Sequence, residues 1–246
     1  MENVKNGFRM AFGVILGLLA WYSLLPTIFL RWKSKYDCSH RGGENGNVLY
    51  LTFQDGPDIR YTGQLLELLR KYEIKATFFV IASNAINNPV MIKRMRKEGH
   101  SIQLHCLTHR NALFMDPFTT EQHLSEAYII LKKVNSTASM VCPAWGCVNL
   151  SMLSFFRKYG MKLVIPNVTV ADWRAAATKQ SIAEKLLERT RPGDIICLHD
   201  GRGRKEAPER MLEALKIVLP VWKNKGYEFK CLKEEKSCRQ KSKYEL

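Results

Sequence analysis

The sequence predicts an α/β fold in which parallel strands alternate with helices, preceded by one N-terminal transmembrane helix. Two observations lead to this prediction. Strand-like apolar runs alternate with segments of helical periodicity about seven times between residues 47 and 232, and residues 10–30 contain no charged side chain. About seven βα units in succession indicate a parallel barrel or a doubly wound sheet. In both folds the side chains that follow the strands converge at one end of the sheet.

The N-terminal segment is predicted to be a membrane anchor. Residues 10–30 are long enough to cross a hydrocarbon core as a helix. We assign residues 1–35 to a cytoplasmic stub and transmembrane anchor, and the polar, glycine-rich residues 36–46 to a linker. A cleaved signal peptide is the alternative, but the apolar run is longer than a usual signal core and no small-x-small cleavage pattern follows it. More basic residues follow the helix than precede it, which by itself favours a cytoplasmic domain.

The composition is that of one globular domain with a basic surface. Of the 246 residues, 46% are hydrophobic, and 38 basic against 23 acidic residues give a net charge of +15. That charge favours anionic surfaces such as phospholipid head groups or acidic wall polymers. The sequence has no zinc-finger, helix-turn-helix or RNA-binding signature, so we expect no nucleic-acid partner. The seven cysteines, an odd number, indicate no disulfide framework and leave the compartment open.

The domain is predicted over residues 47–232, followed by a basic, solvated tail at 233–246. Apolar runs bounded by turn residues predict seven strands, at 48–53, 76–82, 100–105, 138–142, 161–166, 194–199 and 227–232. Apolar residues at helical spacing predict the helices between and after them, at 61–72, 89–99, 119–134, 150–160, 181–193 and 208–226. Thr119 and Thr120, with acids in the next turn, are typical of the start of a helix.

The polar residues that follow the strands form a short set with unusual chemistry: Gln54 and Asp55, His105 and His109, Cys142 and Pro143, Asp172 and Trp173, and His199 and Asp200. A His-x-x-x-His pair on one helical turn, joined by one carboxylate, makes a metal site with open positions for water and substrate. A single such pair also occurs by chance. The carboxylate of Asp55, at the end of a different strand, is the observation that favours metal binding.

Five segments of the chain occur in the order of a known motif set: TFQDGP at 52–57, HCLTH at 105–109, CPAWG at 142–146, Asp172-Trp173, and PGDIICLH at 192–199. They resemble TFDDGP, H-S/T-x-x-H, RPPYG, an Asp-Trp pair and a Leu-x-His strand end in the polysaccharide deacetylases of carbohydrate esterase family four, the NodB-homology family. The resemblance covers roughly residues 47–232. It implies a deformed (β/α)7 barrel that uses a divalent metal, usually zinc, to hydrolyse the N-acetyl group of a polysaccharide amino sugar.

The resemblance also implies a role for each position. Asp55, His105 and His109 would bind the metal ion. His199 would be the general acid that protonates the departing amine, and Asp172 would orient it. The implied substrate contacts are Pro143, Trp145, Gly146, Trp173 and Leu198, with core packing as the alternative for the two tryptophans. The implied partner is an N-acetylated glycan, peptidoglycan or chitin-like, and the implied location is the cell membrane, with a single span and an extracellular domain.

Two positions depart from the family pattern. Gln54 stands where the family has its general base, and Cys142 where it has the arginine that tethers that base. An amide has no useful proton affinity near neutral pH, so the expected base is missing. A buried charge without a partner costs free energy. If the carboxylate base is lost, the loss of the arginine that paired with it is therefore expected as well. Asp200 and Cys142 are possible substitute bases, and a thiolate of Cys106 or Cys142 near the metal would favour zinc.

Two functions therefore stay open from the sequence. One is a metal-dependent polysaccharide or peptidoglycan N-deacetylase of impaired or altered chemistry. The other is a weak or inactive pseudoenzyme that binds an acetylated glycan and retains the metal site. A glycosidase is less consistent with the sequence, because it needs two carboxylates facing across a cleft and Asp55 is better explained as a metal ligand.

Overall fold

The computed structural model describes residues 2–36, 46–134, 136–204 and 206–232. The predicted tail at 233–246 lies outside the described residues. So does the predicted linker, except for its first and last residues.

The N-terminal segment is helical throughout its described length. Helix α1 (Glu2–Leu19) continues through a π-helical segment, Ala20–Leu24, into α2 (Leu25–Tyr36), with helical dihedral angles at both junctions. Within it Phe12–Trp32 is a 21-residue stretch of mean hydropathy 1.9. A stretch of this length and composition near the N-terminus fits either a membrane anchor or a signal sequence.

The domain alternates strands with helices, as predicted. The strands are β1 (Val48–Gln54), β2 (Thr77–Ile81), β3 (Ser101–Cys106), β4 (Met140–Val141), β5 (Lys162–Leu163), β6 (Val168–Thr169), β7 (Ile195–His199) and β8 (Glu228–Phe229). The helices are α3 (Thr62–Lys71), α4 (Ala82–Asn87), α5 (Pro89–Lys97), α6 (Pro117–Lys133), α7 (Leu150–Lys158), α8 (Lys179–Arg189) and α9 (Ala207–Asn224). Two 3₁₀ turns, Ala112–Phe114 and Ala144–Gly146, lie in the connections.

The strands form one parallel sheet in the order β5-β4-β3-β2-β1-β7-β6, and β8 pairs with the first residues of β1. Among the described strands no pairing joins β5 to β6, so the sheet curls into a half-barrel and does not close into a ring. The predicted α/β class with a parallel sheet is confirmed, and the barrel is an open half-barrel.

One strand differs from the prediction. The predicted strand at 161–166 contains only β5, and β6 follows it at the opposite edge of the sheet. Pro166 lies between them and cannot donate to a strand ladder. The side chain of Asn167 then bonds Asp194 at 2.6 Å and the backbone N–H of Ile195 at 2.8 Å, which starts the pairing of β6 with β7. Two-residue strands show no periodicity from which they could be predicted.

The central strand β1 separates two apolar clusters. All seven of its residues are buried. Leu49, Leu51 and Phe53 pack in the main core, which extends to the helices around the sheet. Val48 and Tyr50 belong to a second cluster inside the half-barrel. Because side chains alternate along a strand, Gln54 faces the same interior as these two residues.

Candidate active site

The ends of the central strands bring together the residues singled out from the sequence. In the strand register Gln54, the last residue of β1, is paired with His199, the last residue of β7. Asp55 follows β1 directly, and His105 lies near the end of β3, two strands away. Because all these strands are parallel, their carboxyl ends meet on one side of the half-barrel.

Asp55, His105 and His109 form a compact group of potential metal ligands. The Asp55 Oδ1 atom lies 3.1 Å from His105 Nε2 and 3.3 Å from His109 Nε2. One ligand atom from each residue lies within 4.8 Å of the others. His105 and Asp55 are buried, and His109 is partly exposed towards the cleft. The grouping is the one that the sequence predicts.

The two histidines are not on a helical turn, which corrects the geometric part of the prediction. His105 belongs to β3, which continues past it, and His109 follows a bend at Leu107 and Thr108. The bend is held by His123 of α6, whose Nε2 accepts the backbone N–H groups of Leu107 at 3.2 Å and Thr108 at 3.4 Å. Burial lowers the pKa of His123, which keeps its ring neutral and able to accept. No motif or spacing in the sequence indicates this role of His123.

The backbone around Asp55 is fixed in an unusual conformation. Asp55 has a φ of 72°, in the left-handed region. Its carbonyl oxygen accepts a hydrogen bond of 3.0 Å from the Asn84 side chain. A Cβ atom at Gly201 would lie 2.3 Å from that same oxygen, so only glycine lets the loop after β7 approach so closely. Burial would raise the pKa of Asp55, but the contact with His105 and the nearby histidine charges lower it to about 2.

His199 and Asp172 form a second, separate pair. The Nδ1 atom of His199 lies 3.0 Å from Asp172 Oδ1, and the backbone N–H of His199 donates to Oδ2 at 2.8 Å. Burial opposes the charge on the ring, but the carboxylate of Asp172 raises the pKa of His199 well above its usual value. The imidazole is therefore protonated at neutral pH and can donate a proton.

A cleft of about 730 Å³ connects the two groups. Trp145 and Trp173 line it with 55% and 36% of their surface exposed, which excludes core packing for Trp145. The ring of Trp145 lies 5.2 Å from that of His109, and the ring of Trp173 lies 4.8 Å from that of His199. Each tryptophan thus borders one of the two groups, where an aromatic face can stack on a sugar ring.

Of the other three predicted substrate contacts, two line the cleft and one does not. Pro143 and Gly146 line the cleft. Leu198 does not, because its side chain has no exposed surface and packs in the main core. The strand alternation explains the correction, since the neighbours of Leu198 on β7, Cys197 and His199, face the cleft.

Gln54 and Cys142 touch each other inside the half-barrel. The Gln54 side-chain N–H donates to the Cys142 sulfur at 3.1 Å, and both residues are buried. Burial raises the pKa of the Cys142 thiol well above its usual value, so the thiol stays protonated. Burial likewise raises the pKa of Cys106 far above its usual range. Neither cysteine therefore supplies a thiolate base at neutral pH, and the described group of candidate metal ligands is Asp55, His105 and His109.

Asp200 is not placed to act as a base. It is buried, does not line the cleft, and accepts a 2.7 Å hydrogen bond from the hydroxyl of Thr62. Burial raises its pKa to about 7. A Cβ atom at Gly56 would lie 2.3 Å from the Asp200 carboxylate, so this side chain fills the space behind the loop that follows β1.

Three arginines that sequence reasoning missed also line the cleft: Arg174, Arg202 and Arg204. Arg202 lies over the ring of Trp145, 5.9 Å from its centroid. Their closeness in sequence to motif residues could have indicated them. Arg174 directly follows Trp173, and Arg202 and Arg204 follow the His199-Asp200 pair within five residues.

Comparison with known proteins agrees with this geometry. The family model for polysaccharide deacetylases matches residues 41–164. The peptidoglycan-N-acetylglucosamine deacetylase of Bacillus cereus is 30% identical over 213 residues, which cover 86% of this chain and 94% of that protein. The chain belongs to the polysaccharide deacetylase family. A second member, the chitooligosaccharide deacetylase of Rhizobium leguminosarum bv. trifolii, is 28% identical and covers 77% of this chain and 92% of its own.

Solved structures of deacetylases and esterases share the fold. A peptidoglycan N-acetylglucosamine deacetylase superposes with a TM-score of 0.70 at 27% identity, covering 76% of this chain and 87% of its own. A family 4 acetyl xylan esterase from Clostridium thermocellum, solved with a cobalt ion, gives a TM-score of 0.66 at 29% identity over 75% of this chain and 87% of its own. The predicted family is therefore confirmed by sequence and by fold.

Deacetylases of this family depend on a divalent metal, and the described residues fit one. Buried polar atoms usually have partners, yet Asp55 Oδ1, both ring nitrogens of His105 and His109 Nδ1 are buried without a hydrogen bond. Such a set costs free energy unless something binds it. Two imidazole nitrogens and one carboxylate oxygen suit zinc and other first-row transition metals.

Proposed function

We propose that the protein is a metal-dependent hydrolase that removes N-acetyl groups from an amino-sugar glycan, slowly, because Gln54 stands at the base position. The observation that supports this most directly is that a carboxylate–histidine–histidine group borders, through Asp55 and His109, the aromatic-walled cleft that also contains a protonated His199. These are the components that metal-assisted amide hydrolysis requires apart from a base.

The roles of the residues follow from their positions. Asp55, His105 and His109 would hold a divalent ion, most consistently zinc, which supplies Lewis-acid activation of the acetyl group and of water. His199, kept protonated by Asp172, donates its proton to the amine as the C–N bond breaks. Trp145 and Trp173 stack on the sugar and exclude water from the cleft.

Gln54 limits the rate in this proposal. Its amide can orient a water molecule by hydrogen bonds, but it cannot remove a proton. Loss of a general base typically slows a reaction by about 10²- to 10⁴-fold. A slow hydrolase is therefore expected in preference to a fast one.

A glycan-binding pseudoenzyme is the second candidate. The observation that favours it is the hydrogen bond between Gln54 and Cys142, which leaves the base position neutral, buried and satisfied. In this form the cleft would recognise an acetylated glycan and keep the metal site without turnover.

Acetate release distinguishes the two candidates. The full chain in detergent, loaded with zinc or cobalt, is incubated with acetylated chito-oligosaccharide and with peptidoglycan fragments, and acetate is measured enzymatically. The matched control is Asp55→Ala, which loses one metal ligand. Acetate production that is slow, metal-dependent and absent in the control supports the hydrolase. If the protein binds the glycan but releases acetate from neither substrate, the hydrolase is rejected and the pseudoenzyme is supported.

The names of the relatives support the substrate class. The Bacillus cereus and Rhizobium proteins are named for peptidoglycan N-acetylglucosamine and for chitooligosaccharide. We propose an N-acetylated glycan of one of these kinds as the substrate here, with no nucleic-acid partner.

The N-terminal helix is proposed to be a retained membrane anchor with the domain outside the cell. Its contacts with the domain support retention over cleavage. The hydroxyl of Thr27 exchanges two buried hydrogen bonds with the backbone of Val148, at 2.8 and 2.9 Å. Arg31 donates to the carbonyl oxygen of Trp145 at 2.8 Å. A wall-directed role, as in the named relatives, fits an external domain. Alkaline phosphatase fused after residue 246 should be active in cells, and an inactive but well-expressed fusion would reverse this orientation.

A further inference from the structure

The cleft contains a cationic group to which the proposed chemistry assigns no role. Arg174, Arg202 and Arg204 line the cleft that also contains Asp55 and His109 of the triad and His199. Within the part of the chain that the structure describes, no carboxylate lies within ion-pair distance of these three side chains. Elsewhere on the surface Arg60 and Arg94 are paired with acids. The three arginines therefore present unneutralised charge to the cleft.

Hydrogen bonds order the backbone of the two loops that carry these arginines. The backbone N–H of Arg204 donates to the carbonyl oxygen of Trp173 at 3.2 Å, which joins the loop after β7 to the loop after β6. The side chain of Arg210, on α9, donates to the carbonyl oxygens of Arg174 at 3.0 Å and Arg204 at 2.9 Å. Gly203, between Arg202 and Arg204 in the chain, has a φ of +136°, which residues with a Cβ rarely adopt. The backbone is thus ordered around the side chains that line the cleft.

Arg202 lies beside the expected sugar position. Its guanidinium carbon is 5.9 Å from the centroid of Trp145, whose ring is in turn 5.2 Å from His109. A sugar stacked on Trp145 with its acetamide near the triad would therefore place its other substituents, or those of the next sugar, near Arg202.

The charge of the cleft favours an anion. Among the described residues that line it, Asp55 is the one carboxylate, and it is in contact with two histidines. Because the charge of His199 is paired with Asp172, the three arginines are what leaves an excess of positive charge in the cleft, even before a metal ion binds. A neutral glycan gains nothing from this charge, whereas the planar guanidinium group forms paired hydrogen bonds with carboxylate and phosphate.

We propose that Arg174, Arg202 and Arg204 form a binding site for an anionic substituent of the glycan, a carboxylate or a phosphate on the acetylated sugar or on its neighbour. This inference rests on the proposed function, because it takes the cleft as the glycan site. The cleft volume of about 730 Å³ is sufficient for more than one sugar ring. The three arginines then determine which acetylated glycan is bound.

Equilibrium binding of matched substrates tests this proposal. Isothermal titration of the zinc-loaded full chain in detergent compares an oligosaccharide of alternating N-acetylglucosamine and N-acetylmuramic acid with its methyl ester, which removes only the carboxylate charge. A phosphorylated chito-oligosaccharide and its neutral parent form the second arm and distinguish phosphate from carboxylate. The variants are the triple change Arg174→Gln, Arg202→Gln and Arg204→Gln, and the control Arg96→Gln, an exposed residue that does not line the cleft.

At least one anionic glycan should bind about tenfold or more tightly than its neutral counterpart, since charge-assisted hydrogen bonds are the stronger kind. The triple variant should reduce that ratio to about one, and the control should keep the full ratio. Equal affinity for charged and neutral forms in the parent, or an unchanged ratio in the triple variant, overturns the anion site.

Acetate release in the same samples separates this inference from the proposed function. Discrimination between charged and neutral glycan without any acetate supports the anion site and rejects the hydrolase. Acetate release with no discrimination rejects the anion site and supports the hydrolase.

Discussion

Replacing Gln54 with Asp and Cys142 with Arg in the same chain should restore deacetylation. The two side chains already touch, at 3.1 Å, and both are buried, so the double variant places a carboxylate and a guanidinium in contact at the same position. The carboxylate supplies the missing base and the guanidinium orients it. A general base contributes about 10²- to 10⁴-fold, so the rate should rise roughly 10²-fold or more, a barrier reduction of about 2.7 kcal/mol or more.

Each single change should do less. Gln54→Asp alone puts a carboxylate beside a neutral thiol, without the cation that would hold it in place, and near the metal ligands it would tend to bind the ion. Cys142→Arg alone puts a cation at a buried position beside the neutral Gln54 amide, without a carboxylate at that position to pair with it. The gain from both changes should therefore exceed the product of the separate gains, which is the signature of two residues in direct contact.

The assay is the initial rate of acetate release with metal content and folding checked for every variant. Gln54→Asp with Cys142→Lys is the matched control, because lysine brings the charge without the planar fork that can bind a carboxylate through two hydrogen bonds. It should recover only part of the rate. If the arginine double variant folds, binds one metal ion and still releases no more acetate than the parent, the missing base is not the defect and the glycan-binding function replaces the hydrolase.

Three further predictions concern the metal, the acid and the N-terminal helix. His105→Ala leaves two metal ligands and should weaken zinc binding at least about tenfold in a chelator competition; unchanged affinity would exclude the triad. Asp172→Asn removes the charge that raises the pKa of His199. Because the protonated ring is the acid, the fall in rate as pH rises should begin at a lower pH than in the parent, and an unmoved alkaline limb would contradict this role. Thr27→Val leaves the buried N–H and C=O groups of Val148 without their hydrogen bonds and should cost about 1–3 kcal/mol in denaturant unfolding of the full chain. Thr27→Ser, which keeps the hydroxyl, should cost far less, and equal losses in the two variants would contradict the hydrogen-bond explanation.

The convergence of the site could be predicted because it depends only on strand direction. Once several parallel strands are recognised, the residues at their carboxyl ends must meet, whatever the exact length of each strand. Asp55, His105 and His199 therefore came together as expected, although β5 and β6 are only two residues long and the strand boundaries near them were not predicted.

Other features depend on three-dimensional detail that motif spacing does not contain. The spacing of His105 and His109 fits a helical turn, but the strand pairing of β3 and the support of His123 place them in a strand and after the bend that follows it. Leu198 belongs to a motif segment, yet strand alternation turns it into the core. The cleft arginines are in irregular loops, where neither periodicity nor a motif indicates the direction of a side chain.

Hydropathy assigns the N-terminal helix to a membrane anchor apart from the domain, whereas in the structure the helix contacts the domain. Its apolar composition predicts an anchor attached through a linker, because a serine, a threonine and one flanking arginine barely change the mean hydropathy of the span. Yet Thr27 and Arg31 contact the loop that presents Trp145 to the cleft. Trp145 has a φ of 60°, and a non-glycine residue in that region costs about 1–3 kcal/mol unless its surroundings fix it. The hydrogen bonds from Arg31 to the carbonyl oxygens of Trp145 and Gly146 help to fix this loop. One wall of the glycan cleft is thus stabilised by the segment that composition assigns to the membrane, and a chain truncated before Asn47 would lose that support.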